Sequence, residues 1–284
     1  VTFRSTPDHG IPDTSRGTAA RARQAVAKLE MRGISIAYGD ISVIAGLDLA
    51  VTDGEFVTLI GASGCGKTTL LSVIAGFLRP TAGQVTLSGR PITAPSADRA
   101  MVFQDDAVFP WSTVLDNVAY GLRFRGLRKA ERRRRADELV RLVGLDGWQS
   151  AYPRELSGGM RKRVDLARAL ALEPEILLMD EPFAALDAIT KERLQEEFQR
   201  IRESRSMTVV FVTHDIEEAL FLSDRVVLMS VAGGRILAET TVPFGRPRTP
   251  ETRTDQRLQE IRSTLVAALR TEISAGTGAS GGPT

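Results

Sequence analysis

The sequence predicts an α/β fold: a sheet covered on both faces, an antiparallel β layer beside it and an inserted helical block. Three observations predict it. The apolar run Phe56-Val57-Thr58-Leu59-Ile60 leads through a glycine-rich turn into Leu70-Leu71-Ser72-Val73-Ile74-Ala75, which reads as strand, loop, helix. The runs Ile176-Leu177-Leu178-Met179 and Val209-Val210-Phe211-Val212 are continuous rather than alternating, as in strands buried on both sides. Shorter β-like runs near Ile34 to Ala37, Leu47 to Val51 and Val85 to Leu87 are separated by Gly, Asp and Pro turns and suggest the antiparallel layer.

In chain order, residues 1–24 are rich in Thr, Ser, Arg, Pro and Gly without apolar periodicity and read as a disordered tail, with order beginning near Val26. One large domain is expected over 25–248. Within it the stretch from Gln104 to Leu156 turns helical, with Val114 to Arg123 and Lys129 to Val143 as candidate helices, so a helical subdomain is expected at about 105–165. Residues 249–284 form a terminal unit. Thr249-Pro250-Glu251 reads as an N-cap followed by proline at the first helical position. Leu258, Ile261, Leu265 and Leu269 mark one helix face, and Ala275 to Thr284 is a Gly/Ser-rich tail. The chain has no internal repeat.

The chain has 284 residues, enough to bury a core without staples, and its one cysteine, Cys65, excludes a disulfide framework and fits a reducing compartment. No apolar run approaches the roughly 20 residues needed to cross a bilayer, so a soluble chain is expected. Lys and Arg number 37 against 35 Asp and Glu, a net charge of +2 that gives no global attraction for nucleic acid. One local cluster, Arg123, Arg125, Arg128, Lys129 and Arg132 to Arg135, has Glu131 as its single acidic residue and reads as the solvated face of a helix.

The turn after the first strand is Gly61-Ala62-Ser63-Gly64-Cys65-Gly66-Lys67-Thr68-Thr69. Its spacing G-x-x-x-x-G-K-[ST] aims successive backbone N–H groups into one concavity at a helix N-terminus, where a polyphosphate meets fixed partial charge and no Cβ atoms. In this reading Lys67 neutralises the β- and γ-phosphates and the Thr68 hydroxyl holds Mg²⁺. The dinucleotide fingerprint fails because Gly64 and Gly66 are followed by Thr69 rather than a third glycine. Asp180 and Glu181 end a buried strand, the edge at which ligand chemistry collects in open α/β sheets. Asp180 would complete the Mg²⁺ coordination, and Glu181 would orient and deprotonate an attacking water. Leu156-Ser157-Gly158-Gly159-Met160 then precedes a helix expected over Arg161 to Leu172 and forms a second glycine-rich anion site.

With two phosphate-binding devices in one chain, the sequence resembles the nucleotide-binding subunits of ATP-binding cassette (ABC) transporters, whose signature motif is L-S-G-G-Q. The resemblance covers roughly Leu29 to Pro247 and implies a P-loop NTPase core that uses ATP and Mg²⁺. By position, Tyr38 matches the aromatic residue stacked on adenine and Gln104 the glutamine that contacts Mg²⁺ and the attacking water. Ala185-Leu186-Asp187 matches the loop linking two sites, with Asp187 at the nucleotide, and His214 matches the histidine at the γ-phosphate. The family pattern also implies a homodimer in which the phosphate loop of one subunit faces Ser157, Gly158 and Gly159 of the other. Met160 departs from the usual glutamine, and a thioether cannot reproduce the amide's two donors.

Further segments resemble the importer branch for nitrate, sulfonates and taurine: Phe103-Gln104-Asp105-Asp106, Phe109-Pro110-Trp111, Glu181-Pro182-Phe183-Ala184-Ala185-Leu186-Asp187, Thr213-His214-Asp215 and Gly245-Arg246-Pro247-Arg248. That resemblance implies transmembrane permease subunits as partners, an extracytoplasmic solute-binding protein acting indirectly, and a place on the cytoplasmic face of the membrane. Trp111 would suit a groove for a permease helix. The alternative is a soluble ABC-type ATPase acting on ribosomes or nucleic acid. Tandem cassettes or coiled-coil insertions would mark it and neither is present, so no nucleic-acid partner is expected.

Overall fold

The computed structural model describes Thr2–Phe3 and residues 27–184 and 186–278. The elements run β1 (Thr2–Phe3), β2 (Ala27–Tyr38), β3 (Ile41–Thr52), β4 (Phe56–Gly61), α1 (Lys67–Ala75), β5 (Ala82–Leu87), β6 (Arg90–Pro91) and β7 (Arg99–Val102). The helices α2 (Val114–Gly121), α3 (Lys129–Leu142) and α4 (Gly158–Ala171) follow. The chain then returns through β8 (Ile176–Asp180), α5 (Ala188–Arg205), β9 (Thr208–Val212), α6 (Ile216–Leu222), β10 (Arg225–Met229), β11 (Ile236–Thr241) and α7 (Gln256–Gly278).

A seven-stranded sheet has the order β1-β11-β10-β4-β9-β8-β7, and a four-stranded antiparallel sheet the order β3-β2-β5-β6. Every pairing from β10 through β4, β9 and β8 to β7 is parallel. The continuous apolar runs have a direct structural cause, because alternate residues of each strand feed different cores. Phe56, Leu177, Met179, Val209 and Phe211 face one core with α2, α3, α4 and α5. Val57, Leu59, Leu178, Val210 and Val212 face the other, beneath α1 and the antiparallel layer. A third core joins β10 and β11 to α6 and α7 through Leu258, Ile261 and Leu265. Truncating a buried ring such as Phe198 would cost about 3–5 kcal/mol.

Several boundaries differ from the sequence expectation. The β-like runs near Ile34 and Leu47 lie within two 12-residue strands, β2 and β3, whose pairing shifts register several times. Helix α4 begins at Gly158 rather than Arg161, because the Ser157 side chain accepts the Met160 N–H and caps it there; it also runs past 165 to Ala171. In place of a tail, Thr2 and Phe3 pair with Glu239 and Ala238 on the open edge of β11, the rest of the expected tail lying outside the described residues. Helix α7 continues to Gly278 through part of the segment expected as a second tail.

Candidate functional site

In a parallel sheet every strand delivers its C-terminal end to the same edge, and here β4, β9, β8 and β7 are successive neighbours. The loops that follow them carry Gly61–Thr69, His214, Glu181 and Gln104 respectively. Four sequence-distant candidates are thereby brought to one edge by topology alone.

The phosphate loop is shaped by steric need at its first and last glycines. A Cβ on Gly61 would lie 2.8 Å from the Met229 carbonyl oxygen and 2.8 Å from the Cys65 Sγ, and Gly66 sits at φ 93, a left-handed geometry that disfavours other residues. Gly66 starts α1 with no side-chain cap, so the amides of the first turn are left for an anion. Lys67, only 8% exposed, reaches back to donate to the carbonyls of Gly61 at 2.8 Å and Ala62 at 3.0 Å. Its ammonium is thus held over the concavity of its own loop. Cys65 is buried with its Sγ 3.6 Å from that ammonium.

Thr68 Oγ1 donates to Asp180 Oδ1 at 3.2 Å, which brings together the two oxygen groups expected to hold the metal. Burial pushes the Asp180 carboxyl above its ordinary pKa, the Thr68 bond opposes this, and the neighbouring Glu181 charge adds to the rise. Among the described residues no group of three or more His, Cys, Asp or Glu could form a metal cage. A site of one hydroxyl and one carboxylate matches Mg²⁺, which keeps waters and takes further ligands from substrate phosphates.

Glu181 occupies a left-handed backbone conformation, φ 44, with its N–H fixed to Val212 O at 2.9 Å. A non-glycine residue held there stores strain, and the geometry turns its carboxylate toward His214, whose Nδ1 lies 3.0 Å from Glu181 Oε2. The His214 side chain is 68% exposed and that of Glu181 21%, so the imidazole faces solvent at the sheet edge and the carboxylate lies behind it. Tyr38, at the tip of β2, is also exposed; in the same hairpin Ile36 faces Ile44, whose side chain packs beneath Gly66.

The second anion site is elsewhere. Ser157, Gly159 and Met160 border a cavity of about 290 Å³ whose wall includes Trp148, Thr190 and Arg193 but no residue of the phosphate loop. Asp187, expected at the nucleotide, has its carboxylate engaged as the cap of α5, accepting the Thr190 N–H at 3.0 Å; bonds from the Thr190 side chain and then its N–H lower its pKa. Ala185 lies outside the described residues.

Sequence reasoning missed the groups that hold these loops in place. Lys191, one turn into α5, pairs with Asp215 at 2.7 Å and Glu218 at 2.6 Å, fixing the start of the helix that follows His214. At that helix's other end, the buried Arg248 guanidinium donates to the carbonyls of Leu220, Phe221 and Ser223. Burial draws the Arg248 pKa down to about 10. Both are charged residues far from any glycine motif, and only the Arg246-Pro247-Arg248 segment left a sequence signal.

The arginine cluster is partly neutralised by its own surroundings: Arg134 and Arg135 bond Glu131, Arg125 and Arg135 pair with Glu173, and Arg133 meets Asp116. Beside it, Trp111 is 75% exposed and stacked on Phe109 with ring centroids 5.5 Å apart. The buried Asn117 side chain secures that loop, accepting the Phe109 N–H and donating to the carbonyls of Phe109, Ser112 and Thr113. Trp111 is therefore displayed on a rigid base.

A phosphate loop, an oxygen pair and a glutamate–histidine pair on one edge of a parallel sheet define a P-loop nucleoside triphosphatase. Residues 44–184 match the family described as ABC transporter. The chain is 52% identical over 225 residues to a taurine import ATP-binding protein of Rhizobium johnstonii, covering 79% of this chain and 85% of that relative. It is 43% identical over 256 residues to the protein of the same description from Burkholderia thailandensis, covering 87% and 98%. Among solved structures, a dimeric ATP-binding cassette in a post-hydrolysis state with ADP and Pi is 31% identical with a TM-score of 0.67, covering 76% of this chain and all of that one. The chain belongs to the ABC transporter family, and it is an ATP-hydrolysing subunit. No helix among the described residues is long and apolar enough to cross a membrane.

Proposed function

We propose that this chain works as a homodimer on the cytoplasmic face of the membrane, driving import of a sulfonate such as taurine through two permease subunits fed by an extracytoplasmic solute-binding protein. The observation that carries the dimer is the separation within one chain of the two anion-binding helix starts, at Gly66 and Ser157, the second bordering a cavity without phosphate-loop residues. The similarity to taurine import proteins supports the solute class.

In this reading Lys67 leaves its loop carbonyls for the β- and γ-phosphates, the uncapped amides of α1 take the oxygens between them, and Tyr38 covers the adenine. Thr68 and Asp180, with Gln104, would hold Mg²⁺, which supplies charge neutralisation at the phosphate oxygens when bound. Glu181 takes a proton from the attacking water, and His214, bonded to Glu181, contacts the γ-phosphate. Ser157 and the Gly158 and Gly159 amides close on the γ-phosphate of the opposite subunit. Asp187 orders the start of α5 beside that junction.

The test is to co-purify the permease and the solute-binding protein with this chain and to measure thermal stabilisation of the binding protein. Taurine or another sulfonate at 100 times its Kd should stabilise by about 2.7 kcal/mol. Stabilisation by nitrate with none by sulfonates would refute the solute class, and absence of a co-purifying permease would refute the transport assignment.

A further inference from the structure

The helix that starts at the second anion site also grips the segment carrying Gln104. Lys162 lies on α4, five residues beyond Ser157, and is only 4% exposed. Its ammonium donates to the backbone carbonyls of Phe103 at 2.8 Å and Gln104 at 2.5 Å. On either side the same helix makes further holds: Arg161 Nε meets Asp106 Oδ2 at 2.7 Å, and Arg168 bonds the Ala107 carbonyl. A buried ammonium is costly unless its charge is answered, and Asp165, Asp106 and Asp105 provide the opposing field. The Gln104 side chain, by contrast, is exposed, so its backbone is fixed by α4 while its amide projects free.

We infer that Lys162 is a positioning residue for hydrolysis: by holding the Gln104 carbonyl to the signature helix, it makes the placement of Gln104 in one ATP site follow the engagement of Ser157 with the other. This rests on the proposed role of Gln104 and deepens it. An ordinary structural lysine would stabilise the fold and leave the two residues independent. A positioning lysine has no function once Gln104 is gone.

A double-mutant cycle separates the two. Turnover and nucleotide affinity are measured for the full chain as wild type, Lys162→Met, Gln104→Ala and the double variant, with Lys162→Arg as the conservative rescue. Displacement of a catalytic group by about 1 Å can cost as much as 10²-fold. Lys162→Met, which keeps the volume and removes the donors, should lower kcat about tenfold or more, while Kd for ATP without metal stays within twofold. Lys162→Arg should recover most of the rate, and the double variant should be no slower than Gln104→Ala alone. Should Lys162→Met fail to fold by thermal melt, Lys162→Gln, which removes the charge and is too short to hold both carbonyls as the ammonium does, carries the same cycle. Multiplicative losses in the double variant, or a Lys162→Met enzyme within threefold of wild type, would overturn the inference while leaving Gln104's role intact. A Gln104→Ala enzyme within threefold of wild type would instead overturn the reading of Gln104 and the inference with it.

Discussion

Replacing Glu181 by Gln should separate binding from chemistry, and the structure supplies the reason for each half. Among the described residues, the carboxylate's one side-chain bond is to His214 Nδ1, at 3.0 Å. A glutamine amide can keep that contact in either direction, since its oxygen accepts from a protonated Nδ1 and its nitrogen donates to a bare one. Glutamine also tolerates the left-handed backbone at φ 44 no worse than glutamate, so no new strain enters. Lys67 and Thr68 bond other groups, and although burial is the main cause of the raised Asp180 carboxyl, loss of the Glu181 charge relieves the lesser, repulsive part. Mg-ATP affinity should therefore be unchanged or slightly tighter. What disappears is the base. Loss of a positioned base costs ~10²–10⁴-fold, or about 2.7–5.4 kcal/mol in the barrier. The assay is single-turnover hydrolysis beside equilibrium binding of a fluorescent ATP analogue. Turnover within threefold of wild type would refute the assignment of Glu181, and a tenfold weaker Kd would show that the substitution had disturbed the loop instead.

Three further outcomes are expected. Mixing Lys67→Ala subunits with Ser157→Arg subunits should restore vanadate-trapped ADP to at most half occupancy, because both lesions then fall in one composite site; no restoration would refute the head-to-tail dimer. Trp111→Ala should weaken permease association by more than about 2 kcal/mol while sparing folding and ATP binding, as expected for a residue 75% exposed on a rigid base; unchanged co-purification would return Trp111 to an ordinary surface role. Asp165 is 2% exposed, and burial raises its carboxyl from 3.8 to about 6, so the native state favours the protonated form and stability is lost as pH rises through about 6. Asp165→Asn should then gain on wild type in urea denaturation between pH 4 and pH 7, by up to about 3 kcal/mol; a difference independent of pH would refute that account.

What could be read from the sequence was local. The phosphate loop, the acidic pair after Met179 and the glycines after Leu156 each announce themselves within a few residues, because a turn that must admit an anion constrains its own neighbours. Helix α4 starts three residues before the expected Arg161 for the same reason: Ser157 reads as a ligand group, and its hydroxyl accepts the Met160 N–H as the helix cap. Asp187 followed that pattern, a carboxylate assigned to the nucleotide that is engaged at the start of α5.

The long-range contacts of buried cations leave no such local trace, Arg248 alone falling in a segment with a sequence signal. Lys162 meets Gln104 across 58 residues, Arg202 meets Asp224 across 22, and Arg248 meets Leu220 across 28, with no periodicity to join them. Each is a long cation whose stem is buried and whose charge is answered by carbonyls or a distant carboxylate, so a sequence reading places it on the surface by default. Their places are instead set by topology. Lys162 ties α4 to the segment that leaves β7, on the site's edge, whereas Arg202 and Arg248 hold the segment that enters β10, at the opposite edge of the sheet. A parallel sheet fixes the strand ends but not the loops beyond them. In this chain the loop after β7 is held by the buried Lys162 of α4 and the loop after β9 by Lys191 of α5, which makes the spacing between Gln104, Glu181 and His214 depend on how those helices sit.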